Sequence, residues 1–546
     1  MHKERDNVTS HTTDIKAIIA DMTIEEKVAQ VLMPQLPSFA RCSHDQFDKR
    51  FKKLLNFIKS HGIGGVFIIK GENSILKQYV CDMRTAASTA GVLIAADLEN
   101  GAGHFKGNTQ FPDFLALGAA DDPELAYTMG KAAALEGKRL GINWSFSPIV
   151  DIILNPDNPI TQNRALGDKA ERIAPLAASF IRGMQENGMA ACAKHFPGDG
   201  VDFLDQHIAT AVNSLSKPEW WEHFGAVYKH VIKQDVLSIM IGHLALPFQD
   251  RRKNQRNLYY PATLSRNIIT DLLKKELGFK GLVISDAMGM AGVTCCMKKE
   301  ERLITSLNAG CDMFLFSEEA DFHYLIQGAI KGKIEKTRLD QAVEKVLLLK
   351  KICGVLTNSS LSQEDKLDAA LKKEFKSAAC KVAEKAVVVV RNMDNACPVS
   401  LSKGARVLTI TLSRGNDVLT AIDHELKQRG FAVDHMLNPQ SALFRVQENT
   451  YDFIFVNFNF PVEWATGSCK CVGPHNRIFM YGFTTDYSGR IIFTSFGSPF
   501  HLRDIPHLPN YINVHSDCTL SQQTAVKAWF GELDVSKNKS PVRIIT

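Results

Sequence analysis

Between about residues 20 and 355, short apolar runs alternate with longer stretches whose apolar residues recur every three or four positions. The runs are Gly65-Val-Phe-Ile-Ile, Val92-Leu-Ile-Ala-Ala, Ala191-Cys-Ala, Ser238-Ile-Met-Ile, Leu282-Val-Ile and Asp312-Met-Phe-Leu-Phe. Each is too short for a helix and too continuous for a half-exposed strand. They read as strands buried on both faces, the pattern of a parallel sheet. The stretches between them read as helices with legible ends. Asp122-Pro123 opens one, an acid at the N-cap and a proline at the first helical position, and Lys138 and Arg139 near its end oppose the helix dipole. Ser265 caps another, which carries Ile268, Ile269, Leu272, Leu273 and Leu277 on one face and stops at Gly278. Strand–helix units repeated over this span predict a (β/α)8 barrel or a variant of it.

A long helix follows over Leu339 to Cys353, and residues 357–370 (TNSSLSQEDKLDAA) are polar. A new series of strands and helices then begins near Ala386-Val-Val-Val-Val. Arg406-Val-Leu-Thr-Ile, Phe453-Ile-Phe-Val and Arg490-Ile-Ile-Phe-Thr read as further parallel strands. The expected fold class is therefore α/β. A TIM-like barrel occupies residues 1–356, a linker and connecting helix residues 357–385, and a smaller α/β sandwich domain residues 386–546.

Composition agrees with two domains, since 546 residues at 45% hydrophobic exceed what one small core needs. A formal charge of +5 over this length leaves no basic stripe, which argues against a nucleic-acid partner. The start, MHKERDNVTSHTTD, has no apolar centre of the kind a secretory signal needs. No stretch approaches the roughly 20 apolar residues of a membrane helix. A soluble, cytoplasmic protein with no membrane partner is expected. The 12 cysteines are scattered, several inside apolar runs (Cys192, Cys311, Cys380), as suits buried thiols in a reducing compartment. Cys295-Cys296 and Cys469-Lys-Cys471 lack a second pair at zinc spacing, and neither a metal nor a cofactor is expected.

The candidate chemistry lies just after the buried runs. Asp97 and Glu99 follow one, Lys194-His195 another, His243 a third and Asp286 a fourth. In a barrel such positions meet at the C-terminal face, where active sites are built. Downstream of Lys194-His-Phe-Pro-Gly-Asp-Gly200 comes Asp205-Gln-His207. Each has a plainer reading: Asp286 as a helix cap, Asp205 and His207 as a solvated loop with a local turn, Lys194 and Arg164 as surface cations. Taken together they could supply what a retaining glycosidase needs, one nucleophilic carboxylate and one group that both gives and takes a proton. A guanidinium at Arg164 could hold sugar hydroxyls.

These segments carry a resemblance. The chain resembles glycoside hydrolase family 3, in its β-N-acetylglucosaminidase branch, over nearly its whole length. The match runs through Met22 to Gln30, Asp97-Leu-Glu-Asn-Gly101, Gly141 to Pro148 with Asp151, Asn163 to Asp168, Lys194 to His207, Pro261 to Ser265, Gly281 to Met290 and Ala309 to Met313. In the second domain it continues at Ser495-Phe-Gly-Ser-Pro499 and Ser521-Gln-Gln. The resemblance implies that Asp286 is the nucleophile, that Asp205 and His207 form the acid/base dyad, and that Asp97, Arg164, Lys194 and His195 hold the non-reducing sugar. It implies an exo-acting, retaining hydrolase of N-acetylglucosaminides, with peptidoglycan fragments as one natural source. A phosphorylase using the same dyad, and a β-glucosidase or β-xylosidase, are the alternatives. The chain departs from the branch at Asp199 (usually His), at Gln206 (usually Ser) and at Ala102 (usually Arg). These changes bear on the substrate more than on the reaction type.

Overall fold

The structure, a computed structural model, describes residues 8–37, 43–69, 73–87, 91–356, 367–415, 418–439, 451–471, 473–479 and 487–544. The first half contains eight parallel strands: β1 Leu32–Met33, β2 Gly65–Ile68, β3 Leu93–Ala96, β4 Trp144–Ser145, β5 Ala190–Phe196, β6 Ser238–Ile241, β7 Leu282–Ser285 and β8 Phe314–Leu315. Strands β2 to β7 pair in chain order. The ring closes where β1 pairs with β8 and where the bridges Gln35↔Phe67 and Ile284↔Met313 join β1 to β2 and β7 to β8. This is the (β/α)8 barrel that the alternation of runs and helices predicts. The pattern in the sequence reveals six of its strands. Strands β1 and β4 are two residues long and, unlike the equally short β8, are broken up by polar residues and proline, Gln30 and Pro34 around β1 and Asn143, Ser145 and Ser147 at β4.

The strands are mostly apolar because both faces are covered. Phe67, Leu93, Trp144, Cys192, Met240 and Ile284 fill the barrel interior, while Val66, Ile94, Ala191, Ile239 and Val283 pack under the helices. Trp144 donates its indole N–H to Ser238 Oγ across the interior (2.8 Å), so the large ring is buried without an unsatisfied donor. The helix ends are those legible in the sequence. Asp122 accepts the Glu124 and Leu125 N–H groups at the start of Pro123–Lys138. Ser265 Oγ accepts the Ile268 N–H (3.3 Å), and Gly278 takes a left-handed φ of 74° after the helical segment Asn267–Glu276.

A helix over Lys336–Ile352 ends the barrel, and a second, Ala369–Ala386, leads into the other sheet. The linker expected over residues 357–370 lies outside the described residues for 357–366. The second sheet has strands β9 Val388–Asn392, β10 Arg406–Ser413, β11 Ala432–Leu437, β12 Phe453–Asn459, β13 Ile491–Ser495 and β14 Asn510–Asn513, in the order β9-β14-β13-β12-β10-β11. The runs at Arg406, Phe453 and Arg490 form parallel strands, as their sequence predicts, whereas the Val-rich run after Ala386 forms β9, which runs antiparallel to β14. It occupies the edge and enters directly from the preceding helix, so no crossover helix imposes the parallel direction. Among the described residues, no helix is long and apolar enough to cross a membrane.

The second domain sits against the loop that follows β4. Arg503 makes a bidentate pair with Asp157 (2.8 Å each), Ser498 Oγ donates to Gln162 Oε1 (2.8 Å), and the Val462 N–H donates to Asn163 Oδ1 (3.0 Å). The last contact brings residues 462–465 to the mouth of the barrel.

Candidate active site

A cavity of about 530 Å³ opens at the C-terminal ends of the barrel strands. Asp286 forms part of its floor. Its backbone N–H donates to Ile241 O (2.9 Å) and its Oδ1 accepts the Ala287 N–H (2.7 Å). It caps no helix, because the next one starts at Ala291 with Met290 at the cap. Burial works against its charge, but His195, His243, the Ala287 N–H and His207 outweigh that effect and hold the carboxyl below its ordinary value. Asp286 is ionised at neutral pH.

Two cations and two carboxylates interlock beside it. Lys194 Nζ donates to Asp97 Oδ1 (2.6 Å) and lies 2.9 Å from Glu99 Oε1. Arg164 sends Nε and Nη2 to the same Glu99 carboxylate (3.0 and 2.8 Å). Burial alone would raise Glu99, yet the paired Arg164 and Lys194 charges hold it well below the usual carboxylate range. Lys194 is in turn held above the ordinary lysine value, its burial being overcome by Asp97 and Glu99. His195, next in the chain, pairs Nδ1 with Asp151 Oδ2 (2.7 Å) and presents Nε2 to Asp286 Oδ2 at 4.0 Å. Asp151 is fully buried, and its other oxygen accepts the N–H groups of His195 (3.1 Å) and Asp199 (2.8 Å). The Lys194–His195 peptide is cis.

Across the cavity stands the Asp205–His207 pair. One oxygen, Asp205 Oδ1, takes both the His207 ring Nδ1 (2.7 Å) and the His207 backbone N–H (2.8 Å). The local turn and the dyad are thus the same contact. The loop is not solvated at Asp205, which is 1% exposed. Burial pushes the Asp205 carboxyl up, but His207 and the Ala465 N–H of the second domain bring it below its ordinary value. The dyad's backbone is tied down on one side, where Ala291 and Gly292 donate to His207 O (3.1 Å) and Gln206 O (3.0 Å). Trp464 faces His207 with ring centroids 6.4 Å apart and is 63% exposed at the rim.

Asp97, Arg164, Lys194, His195, His207 and Asp286 all line this one cavity. Asp205 stands behind His207. His243 turns away, with Nδ1 on Thr263 Oγ1 (2.7 Å) and Nε2 on Ala287 O (3.0 Å). Burial lowers its pKa against the opposing pull of Asp286, and it is a core histidine that fixes the residue after Asp286.

Residues 23–349 match the Glycosyl hydrolase family 3 N terminal domain. The chain belongs to glycosyl hydrolase family 3. It is 30% identical over 514 residues to a beta-N-acetylglucosaminidase/beta-glucosidase of Cellulomonas fimi, covering 88% of each chain. A beta-hexosaminidase of Stenotrophomonas maltophilia is 31% identical over 271 residues, 48% of this chain and 78% of that one. Among solved structures, the beta-glucoside phosphorylase BglX superimposes with a TM-score of 0.85 at 26% identity, over 98% of this chain and 96% of that one. The family 3 beta-N-acetylglucosaminidase of Paenibacillus sp. str. FPU-7 shares the fold at a TM-score of 0.82 and 24% identity, over 96% and 100%. The protein is a glycosidase acting on O-glycosyl bonds.

Three features of this family 3 glycosidase escape a reading of residues in isolation. Glu99 organises both cations, although as a lone acid after β3 it looked no different from Asp97. Asp151 orients His195. The apolar Ile149-Val150 before it was the available signal, a carboxylate closing another buried stretch. Val462, Trp464 and Ala465 line the glycosidase cavity from the other domain, and no local pattern marks them.

Proposed function

We propose that this glycosidase removes terminal β-linked N-acetylglucosamine from the non-reducing end of its substrate by a retaining double displacement. The observation that carries the reading is the arrangement around one cavity of a half-buried, ionised Asp286 and an Asp205–His207 pair. In the first step Asp286 attacks the anomeric carbon while His207 gives its proton to the departing oxygen. The products are a glycosyl ester on Asp286 and the free aglycone. In the second step His207 takes a proton from water, which attacks the same carbon and releases Asp286. An imidazole can serve both ways near neutral pH. Asp205 orients the ring and favours its charged form. Most glycosidases use a second carboxyl here, so this dyad is an exception to the two-carboxylate scheme.

Lys194, Asp97 and Arg164 would hold the hydroxyls of the bound sugar, and His195, fixed by Asp151, would contact it next to Asp286. Trp464 lies on the aglycone side, beside the proton donor. The acetylglucosaminide specificity is supported by the names of the relatives from Cellulomonas fimi and Stenotrophomonas maltophilia. Peptidoglycan fragments are one fitting source of such ends, and the unpaired described cysteines suit a cytoplasmic location. The catalytic unit would be the barrel of residues 1–356, joined through 357–385 to a second domain over 386–546 that contributes the rim.

A second reading has its own support. A neutral His207 does not repel an anion as a carboxylate would, so phosphate could replace water in the second step, and BglX is a beta-glucoside phosphorylase. One experiment tests both readings: a panel of aryl β-glycosides with and without the acetamido group, assayed with and without phosphate. Cleavage confined to the acetamido sugars, with free sugar as the product in phosphate buffer, is expected. A glycosyl phosphate product would favour the second reading, and a preference for glucosides would overturn the first.

A further inference from the structure

Two of the positions at which the chain departs from its branch, Asp199 and Gln206, touch each other. Both are 1% exposed; Gln206 lines the cavity, Asp199 lies behind it, and neither has a role in the reaction proposed above. Gln206 sits between the two members of the dyad. Its Oε1 accepts the His243 N–H at the end of β6 (2.9 Å), which forces its Nε2 to be the donor toward Asp199 Oδ2 (3.2 Å). Asn158 is fixed in the same way. Its Oδ1 accepts the N–H groups of Ile160 and Thr161 (2.9 Å each), so its Nδ2 must donate to Asp199 Oδ1 (2.8 Å). The Gly200 N–H also donates to Asp199 Oδ1 (2.7 Å). Both oxygens of Asp199 therefore face obligate donors, and the cage fits the ionised carboxylate. A proton on Asp199 would point at an N–H. Turning the Gln206 amide to receive it would set two donors against each other at His243.

We propose that Asp199 and Gln206 are a positioning pair: the ionised Asp199 holds the Gln206 side chain against β6 and so seats His207 over Asp286. The pair acts through His207, so the inference rests on the acid/base role given to that residue above. It also predicts a pH dependence. Burial and the adjacent Asp151 charge raise the Asp199 carboxyl to about 7, against the opposing effects of His195, Asn158 and the Gly200 N–H. The titratable groups facing it are Asp151, from the loop after β4, and His195, from β5. As pH falls through about 7, Asp199 takes up its proton, the grip on Gln206 is lost and the dyad loses its fixed position.

The test is the pH profile of kcat/KM for the wild type, Asp199→Asn, Gln206→Ala, the double variant and His207→Ala. Each is assayed on aryl glycosides with poor and with activated leaving groups, since only the poor ones need a placed proton donor. The wild type should show an acid limb near pH 7 on poor leaving groups that is absent on activated ones. Asp199→Asn and Gln206→Ala should each lose about tenfold or more on poor leaving groups, the scale of a small misplacement of a catalytic group. Both should keep their rate on activated ones and lose that limb, and the double variant should be no worse than either single. A limb unchanged in Asp199→Asn, equal losses on both substrate classes, or losses that multiply in the double variant would overturn the pair. If Asp199→Asn does not fold, the wild-type comparison still decides: the same acid limb on both substrate classes refutes the inference. Should His207→Ala itself fail to distinguish the two classes, the assignment of His207 falls and the inference with it. Should His207→Ala distinguish them while Asp199→Asn and Gln206→Ala behave as wild type, only the inference falls.

Discussion

Replacing Asp205 by alanine tests the dyad at the point where the structure puts a number on it. The carboxylate receives the His207 ring at 2.7 Å and the His207 backbone at 2.8 Å through one oxygen, and it is buried. A hydrogen bond between charged partners contributes about 1.5–3 kcal/mol, and each 1.4 kcal/mol is about tenfold in rate. If that interaction is felt when the ring holds its proton for the leaving oxygen, Asp205→Ala should lower kcat/KM by about ten- to a hundredfold on poor leaving groups. The loss should shrink steadily along a series from phenyl to nitrophenyl glycosides, because a better leaving group departs with less help. The assay is therefore a plot of log kcat/KM against leaving-group acidity, which should be steeper for the variant than for the wild type. A uniform drop along the whole series would mean that Asp205 supports the loop without acting on the proton transfer. Full activity on the phenyl glycoside would remove the dyad from the mechanism and turn attention to a glutamate elsewhere.

Asp286→Ala should abolish the covalent step, with turnover down by several orders of magnitude; a fluoro-sugar inactivator that labelled any residue other than Asp286, by peptide mass mapping, would refute the assignment. His207→Ala should be partly rescued by azide on activated substrates, giving a glycosyl azide, because the small anion replaces activated water; no azide adduct would count against a base role. Lys350 gives a stability test. It is fully buried at the N-terminal face of the barrel, where Nζ donates to Gln30 Oε1 (2.7 Å) and Gly91 O (2.8 Å), ahead of β1 and β3. Burial lowers it from 10.5 to about 7, so between those values the unfolded chain binds a proton that the native state has released, and stability rises with pH over that window. The carbonyl acceptors favour the ammonium, so the rise is at most about 5 kcal/mol. Urea midpoints should climb from neutral to alkaline pH in the wild type and stay flatter in Lys350→Met; parallel curves would refute the assignment.

Much of this protein is legible along the chain because it is set by neighbours in sequence. The two-face burial of barrel strands makes continuous apolar runs, the helix caps at Asp122 and Ser265 are local hydrogen bonds, and a polar residue at the end of such a run is placed at the barrel mouth, although His243 there turns into the core. That reasoning reaches Asp97, Lys194, His195 and Asp286, and the spacing of Asp205 and His207 makes their pairing a local matter too. What the sequence does not determine depends on segments that meet only when the barrel closes. The two-residue strands β1 and β4 exist because neighbouring strands hold them, and β9 runs antiparallel because of the sheet edge it reaches. Glu99 could join Arg164 to Lys194, Asp151 could aim His195, and Trp464 could reach His207 from another domain only through tertiary packing. Burial is decided there as well. It is the loss of water, not the residue type, that turns Asp205 from a loop acid into a fixed partner of His207. The same loss confines Asp199 among donors that accept it only as a carboxylate.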